Sequence, residues 1–178
     1  HSERWVREIK PSLHDLMEDN LVISHAAHNV FFEPIFNGTD DAMDYFNQIK
    51  TAPHDRWLTG VHWTDLSADS SHIYGSFIEE KVLGFGITTN SNIAQRASNG
   101  FMYMYCNRFD AIEDAIFDAE TDPLRVHWIQ QRRFLGPKQC RLYTVKMFTD
   151  DVHWTICGVH RVVRFLECWT QFCADLGL

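Results

Sequence analysis

The stretch from Asn29 to Phe46, NVFFEPIFNGTDDAMDYF, constrains the fold more than any other part of the chain. Val30-Phe31-Phe32 is a short run of strand formers, and Glu33 follows it directly, so a carboxylate stands at the end of an apolar strand. Pro34 has no amide proton and pushes Glu33 toward extended geometry. Asn37-Gly38 supplies a turn, and Thr39 or Asp40 can cap a helix over 40–50 whose apolar residues Ala42, Tyr45, Phe46 and Ile49 fall at helical spacing. The expected order is strand, acid, turn, capped helix. A carboxylate that faces an apolar cavity loses hydration and holds a proton more readily, which is what a proton-abstracting base requires. Glu33 is therefore the first candidate for chemistry, against the plainer alternative of a strand-end acid or ion-pair partner.

The chain has 178 residues, the length of one domain, and 1–178 is read as such. Thirteen Phe and six Trp make the interior rich in rings, which suits a pocket for a flat apolar ligand or simply an aromatic core. A net charge of −8 argues against a nucleic-acid partner. The densest basic patch, Arg132-Arg133 with Lys138 and Arg141, reads as a solvated edge before a phosphate footprint. Five scattered cysteines with no CxxC pair point to reduced thiols and a cytoplasmic setting, ahead of the alternative of one disulfide with a spare thiol. No apolar run approaches the ~18 residues of a membrane span. The sequence opens on a charged amphipathic segment rather than a signal peptide.

Trp5, Ile9, Leu13, Leu16 and Met17 predict an N-terminal helix restarted at Pro11, with Ser12 as a cap. A hairpin is expected from a strand over 57–66 and its return over 72–83. Strands over 141–148 and 152–165 around Thr149-Asp150-Asp151 form a second hairpin, followed by a terminal helix with Trp169, Phe172 and Cys173 on one side. Between them, 84–139 reads as loops around an acidic helix over 110–119, with 101–106 open between strand and helix and 127–134 another strand.

Glu33-Pro34 followed by Gly38-Thr39-Asp40-Asp41-Ala42-Met43-Asp44-Tyr45-Phe46 resembles the strand and helix start of ketosteroid isomerases. Gly60-Val61-His62-Trp63 with Ile73-Tyr74-Gly75, and Trp154-Thr155-Ile156-Cys157-Gly158 with Val163-Arg164-Phe165, are similar to hairpin and last-strand segments of scytalone dehydratases. Both belong to the nuclear-transport-factor-2-like, or SnoaL-like, superfamily. The resemblance implies an α+β fold: a cone-shaped, curved antiparallel sheet packed on N-terminal helices, with 84–139 as a large insertion or lid. It implies a cofactor-independent, metal-free isomerase, cyclase or dehydratase that moves a proton on a small apolar carbonyl-bearing metabolite, and it allows a homodimer. Glu33 stands in the place of the family's base, and Tyr143 falls near a position that hydrogen-bonds substrate.

His62 is the candidate acid/base partner on the hairpin strand. His62 or Tyr143 would stabilise the developing oxygen. Phe32, Trp57 and Trp63 would wall the pocket, with Tyr74 and His160 as further substrate contacts. The scytalone dehydratase histidine positions fall here on Arg56 and near Leu83, and the first helix offers His14 where ketosteroid isomerase has its hydroxyl donor, so neither mechanism transfers whole. The rival function is a non-catalytic small-molecule binding or protein-docking module on the same cone.

Overall fold

Ser12 and Asp15 start the first helix by exchanging hydrogen bonds. The Asp15 amide donates to Ser12 Oγ at 3.1 Å and the Ser12 amide donates to Asp15 Oδ2 at 2.8 Å. In the computed structural model, which describes residues 11–41, 49–50, 53–54, 60–64, 75–79, 81–82 and 88–177, this helix, α1, spans Leu13–Ala26. It does not stop where the strand was expected. Ile23, Ala26, Ala27, Val30 and Phe31 continue one buried stripe at helical spacing, and the chain passes into a π-helical turn, Ala27–Phe31. The β propensity of Val30-Phe31-Phe32 is overridden by packing, with the Phe31 ring edge-on to Trp128 at 5.4 Å. Phe32 ends the turn in the left-handed region at φ 53°, and the Glu33 amide donates back to the Ala27 carbonyl.

Only after Pro34 does the chain extend, as β1, Ile35–Asp41. Asn37-Gly38 therefore lies inside a strand instead of making a turn, and Asp40 is extended rather than a cap; 42–48 lies outside the described residues. Gly38 is there for space: a Cβ on it would sit 1.9 Å from the Trp154 ring. The expected hairpin over 57–83 is present as β2, Gly60–Thr64, paired antiparallel with β3, Gly75–Glu79.

The 84–139 stretch supplies two helices. α2, Thr88–Asp118, takes in both 101–106 and the acidic 110–119, because Met102, Tyr105, Cys106, Phe109 and Phe117 share one buried face. α3, Pro123–Leu135, replaces the strand expected over 127–134: Asp122 Oδ1 accepts from the amides of Leu124 and Arg125, and Pro123 occupies the first turn, where its missing donor costs nothing.

β4, Tyr143–Phe148, and β5, Asp151–Cys157, form the second expected hairpin. The buried Gln95 side chain secures its turn, accepting from the Thr149 amide at 2.8 Å and donating to the Met147 carbonyl at 2.9 Å. β5 ends eight residues earlier than the strand expected to reach Phe165, because Gly158 at φ 90° turns the chain into α4, Val159–Leu176. Arg161, Phe165, Cys168 and Phe172 then fall on one buried helical face.

Among the described residues the fold is thus α+β, with four α-helices, an open antiparallel sheet in the order β1-β5-β4 and the separate β2-β3 pair. The chain divides into two compact units, one of 1–41 with 95–178 and one of 42–94. The larger unit has the ring-rich interior that the composition suggests. Tyr105 meets Phe165 edge-on at 5.1 Å, Phe109 meets Tyr143 at 4.8 Å, and the Tyr105 hydroxyl donates to the Phe165 carbonyl at 2.9 Å. No described helix is long and apolar enough to cross a membrane.

Candidate functional site

The left-handed turn at Phe32 and the start of β1 place Glu33 against the β5–α4 junction, where Gly158 donates its amide to the Pro34 carbonyl at 2.8 Å. A Cβ at Gly158 would lie 1.9 Å from Glu33 Oε2, so the absence of a side chain at 158 makes room for the carboxylate. Glu33 opens into a cleft of about 130 Å³ lined by Phe31, Ile116 and Phe117 on its apolar side and by Glu120, Arg125, His160, Arg161 and Arg164 on its polar side. The cleft is mixed and largely ionic, not the ring-lined hollow the sequence suggests.

Its three guanidinium groups are held differently. Arg161, almost fully buried, donates from Nε to Glu113 Oε2 and from a terminal nitrogen to the Cys157 carbonyl, while Arg164 donates to Glu113 Oε1 at 2.6 Å. Glu113 itself is only 3 % exposed, so one carboxylate on α2 anchors two arginines of α4 beneath the cleft. Arg125, from the first turn of α3, donates to the Phe31 carbonyl at 3.0 Å. Glu33 is left with long contacts: 3.7 Å to Arg161, 3.9 Å to Arg125 and 3.9 Å to the Cys157 thiol. Among the described residues no N–H group hydrogen-bonds it, whereas Glu120 accepts from the amides of Thr121 and Asp122. Those amides, with the Arg125 charge, hold the Glu120 carboxyl below the usual range. Burial, with Glu33 beside it, pushes the Cys157 thiol up to about 11, so it stays neutral.

The other predicted residues are dispersed. His160, exposed, lines the same cleft as Glu33. Tyr143 is buried in the β4 wall and its hydroxyl donates to Asp110 Oδ1 at 2.7 Å; Asp110 is held in turn by Arg141, and burial raises the phenol well above its usual range. The one proton of Tyr143 is thus already committed. Phe32 is largely exposed, pointing away from the core. His62 and Trp63 pair with Phe77 and Ser76 in the β2-β3 ladder of the smaller unit, while Trp57 and Tyr74 lie outside the described residues.

Comparison with protein-family models, curated proteins and solved structures returns no match. The cleft's arginines, Arg125, Arg161 and Arg164, and the Glu113 that holds two of them from beneath, are given no site role by the sequence. A signal exists for Glu113: it falls on the stripe of Phe109 and Phe117, a charge at an apolar position of a helix, which becomes visible only when 88–118 is recognised as one helix. Arg161 occupies the corresponding place on α4.

Proposed function

We propose that the chain is a cofactor-independent acid/base catalyst in the manner of a SnoaL-like isomerase, cyclase or dehydratase, working on a small carbonyl-bearing metabolite in the Glu33 cleft. The single observation that carries this reading is a carboxylate without a short hydrogen bond, seated in a cleft beside three guanidinium groups and a histidine. Glu33 would take a proton from the carbon next to the carbonyl, and the C–H electron pair would move into the enolate. Arg125 and Arg161 would stabilise the charge growing on oxygen, and His160 or Glu33 would return the proton at a second carbon. At about 30 Å³ per water, the cleft has room for roughly four water-sized groups, so it would hold the reacting end of the substrate rather than the whole of it. The arginines favour a substrate whose reacting end is more polar than the sequence alone suggests. The cone-shaped sheet, with 84–139 as a family-specific addition, and a homodimer belong to the same proposal.

The test is deuterium wash-in at the carbon beside the carbonyl of pyruvate and 2-oxobutyrate, followed by proton NMR. Wild-type protein is expected to accelerate exchange, and a folded Glu33→Gln variant to lose about 10²–10⁴ of that acceleration. Equal exchange by the two proteins removes Glu33 from the role, and no acceleration by wild type removes the enzyme reading. A docking module is the second reading, supported by Ile112 and Ile116 on α2 and Val159, Val163 and Leu166 on α4, all exposed.

A further inference from the structure

A second cleft, of about 240 Å³, lies in the same unit between α1, the C-terminal end of α3 and β4. Four cationic side chains line it, Arg132, Lys138, Arg141 and Lys146, against the single carboxylate of Asp19. That excess is unexpected in a chain whose net charge is −8. Two of the cations have ordinary structural partners: Lys146 pairs with Asp19 at 2.8 Å, and Arg141 grips Asp110 through both nitrogens of its fork. The other two do not. Arg132 spends its fork on neutral acceptors, the carbonyl and side-chain oxygens of Gln139, at 2.7 and 3.1 Å. Among the described residues Lys138 meets no carboxylate, and its ammonium lies 5.4 Å from the Tyr103 ring. Lys146 and Arg141 are sheltered, with side chains only 20 % and 24 % exposed, so their charge acts in a partly water-excluded groove where field lines concentrate.

We propose that this groove binds the phosphate group of a small molecule, with Lys138 and Arg132 as its principal contacts and Lys146 released from Asp19 to join them. A tetrahedral dianion suits these donors better than a monocarboxylate. It offers oxygens in several directions to a mobile ammonium and a planar fork, and it neutralises the two charges that no carboxylate of the described chain meets. The Thr144 hydroxyl donates its one proton to Asp19 Oδ2 at 2.9 Å, a bond that keeps a partner on that carboxylate when Lys146 turns to the ligand. At about 30 Å³ per water-sized group the volume holds roughly eight, enough for a phosphoryl group and the atoms beside it. The site is separate from the Glu33 cleft and does not depend on the reaction proposed there.

The experiment is titration calorimetry of the whole chain with inorganic phosphate and with glycerol 3-phosphate, using glycerol and sodium chloride at matched ionic strength as controls. Saturable binding of either phosphate, absent with both controls, is expected; equal binding of both assigns the site to the phosphoryl group alone, and preference for the ester assigns it to a phosphorylated metabolite. Lys138→Met and Arg132→Gln should each weaken binding by about tenfold, the loss of one charge-assisted hydrogen bond. Asp19→Asn should strengthen it several-fold, because the competing carboxylate is gone, whereas Arg164→Gln in the other cleft should leave it unchanged. Absence of saturable binding by wild type, equal affinity in the Lys138 and Arg132 variants, or weaker binding by the Asp19 variant would each overturn the assignment.

Discussion

Glu113→Gln tests how the helices α2 and α4 are held together. Glu113 is 3 % exposed, and its two oxygens accept from Arg161 and Arg164; the Arg161 side chain is 7 % exposed. The amide keeps the shape but removes the charge, leaving the Arg161 guanidinium buried with the Cys157 carbonyl and a carboxylate 3.7 Å away at Glu33. Breaking a buried pair from one side costs about 3–5 kcal/mol. Glu33 offsets part of that, so we expect about 3 kcal/mol. For a chain of this length that corresponds to a fall in melting temperature of roughly 6–12 °C. The measurement is urea and thermal unfolding followed by circular dichroism, with Arg133→Gln as the surface control. Arg133 pairs with Asp114 and Asp118 in solvent, and its loss should cost less than about 1 kcal/mol. Replacing Glu113 and Arg161 together by leucine should recover part of the single-variant loss, since the buried guanidinium goes with its partner and Arg164, 29 % exposed, is the charge left without its carboxylate. A Glu113→Gln variant no less stable than the Arg133 control would show that the pair does not bear on stability.

The remaining predictions concern backbone, thiol and cap. Gly158→Ala should destabilise the protein by more than Gly177→Ala, because both have positive φ but only at 158 does the new methyl meet a carboxylate; equal melting temperatures would contradict this. Cys157, buried and with its thiol raised from 9.0 to about 11, should resist iodoacetamide at pH 8 until the protein unfolds. The thiol keeps its proton longer when folded, so its contribution is fully present below pH 9 and is lost as pH rises toward about 11; rapid native-state alkylation read by peptide mass spectrometry would count against the burial described. Hydrogen bonds from the Ser12 side chain and amide hold the Asp15 carboxyl below its usual 3.8. Its stabilising contribution is therefore present above 3.8 and disappears only as pH falls through the lower folded value; an Asp15 carboxyl NMR midpoint at or above 3.8 would argue against the cap.

Both hairpins were legible in the sequence because their signals are local: alternating strand formers on either side of a polar turn. The helix-forming stretches were less so. Val30-Phe31-Phe32 and Val159 to Phe165 are dense in β-branched and aromatic residues, and their helical state is decided by partners distant in sequence, Trp128 for Phe31 and Tyr105 for Phe165. The clearer clue was periodicity, in the spacing of Ile23, Ala26, Ala27, Val30 and Phe31 and of Arg161, Phe165, Cys168 and Phe172. Asp122-Pro123 likewise signalled a helix start. Of the site, Glu33 and His160 could be picked out as ionisable residues and do share a cleft. The arginines around them could not, because their convergence depends on three helices whose phases must all be known first.

The strand at the centre of the sheet is the last one to be made. Among the described residues, 35–41 pair only with 151–157, so closing that ladder joins segments on the order of a hundred residues apart, an entropy cost of about 4 kcal/mol by the usual chain-closure scaling. During synthesis the first strand would leave the ribosome long before its partner exists, with the edge that β5 later covers still unpaired. A fragment ending before residue 151 therefore lacks any way to complete the sheet, and chaperone dependence in the nascent chain is the expected biological trace of that order.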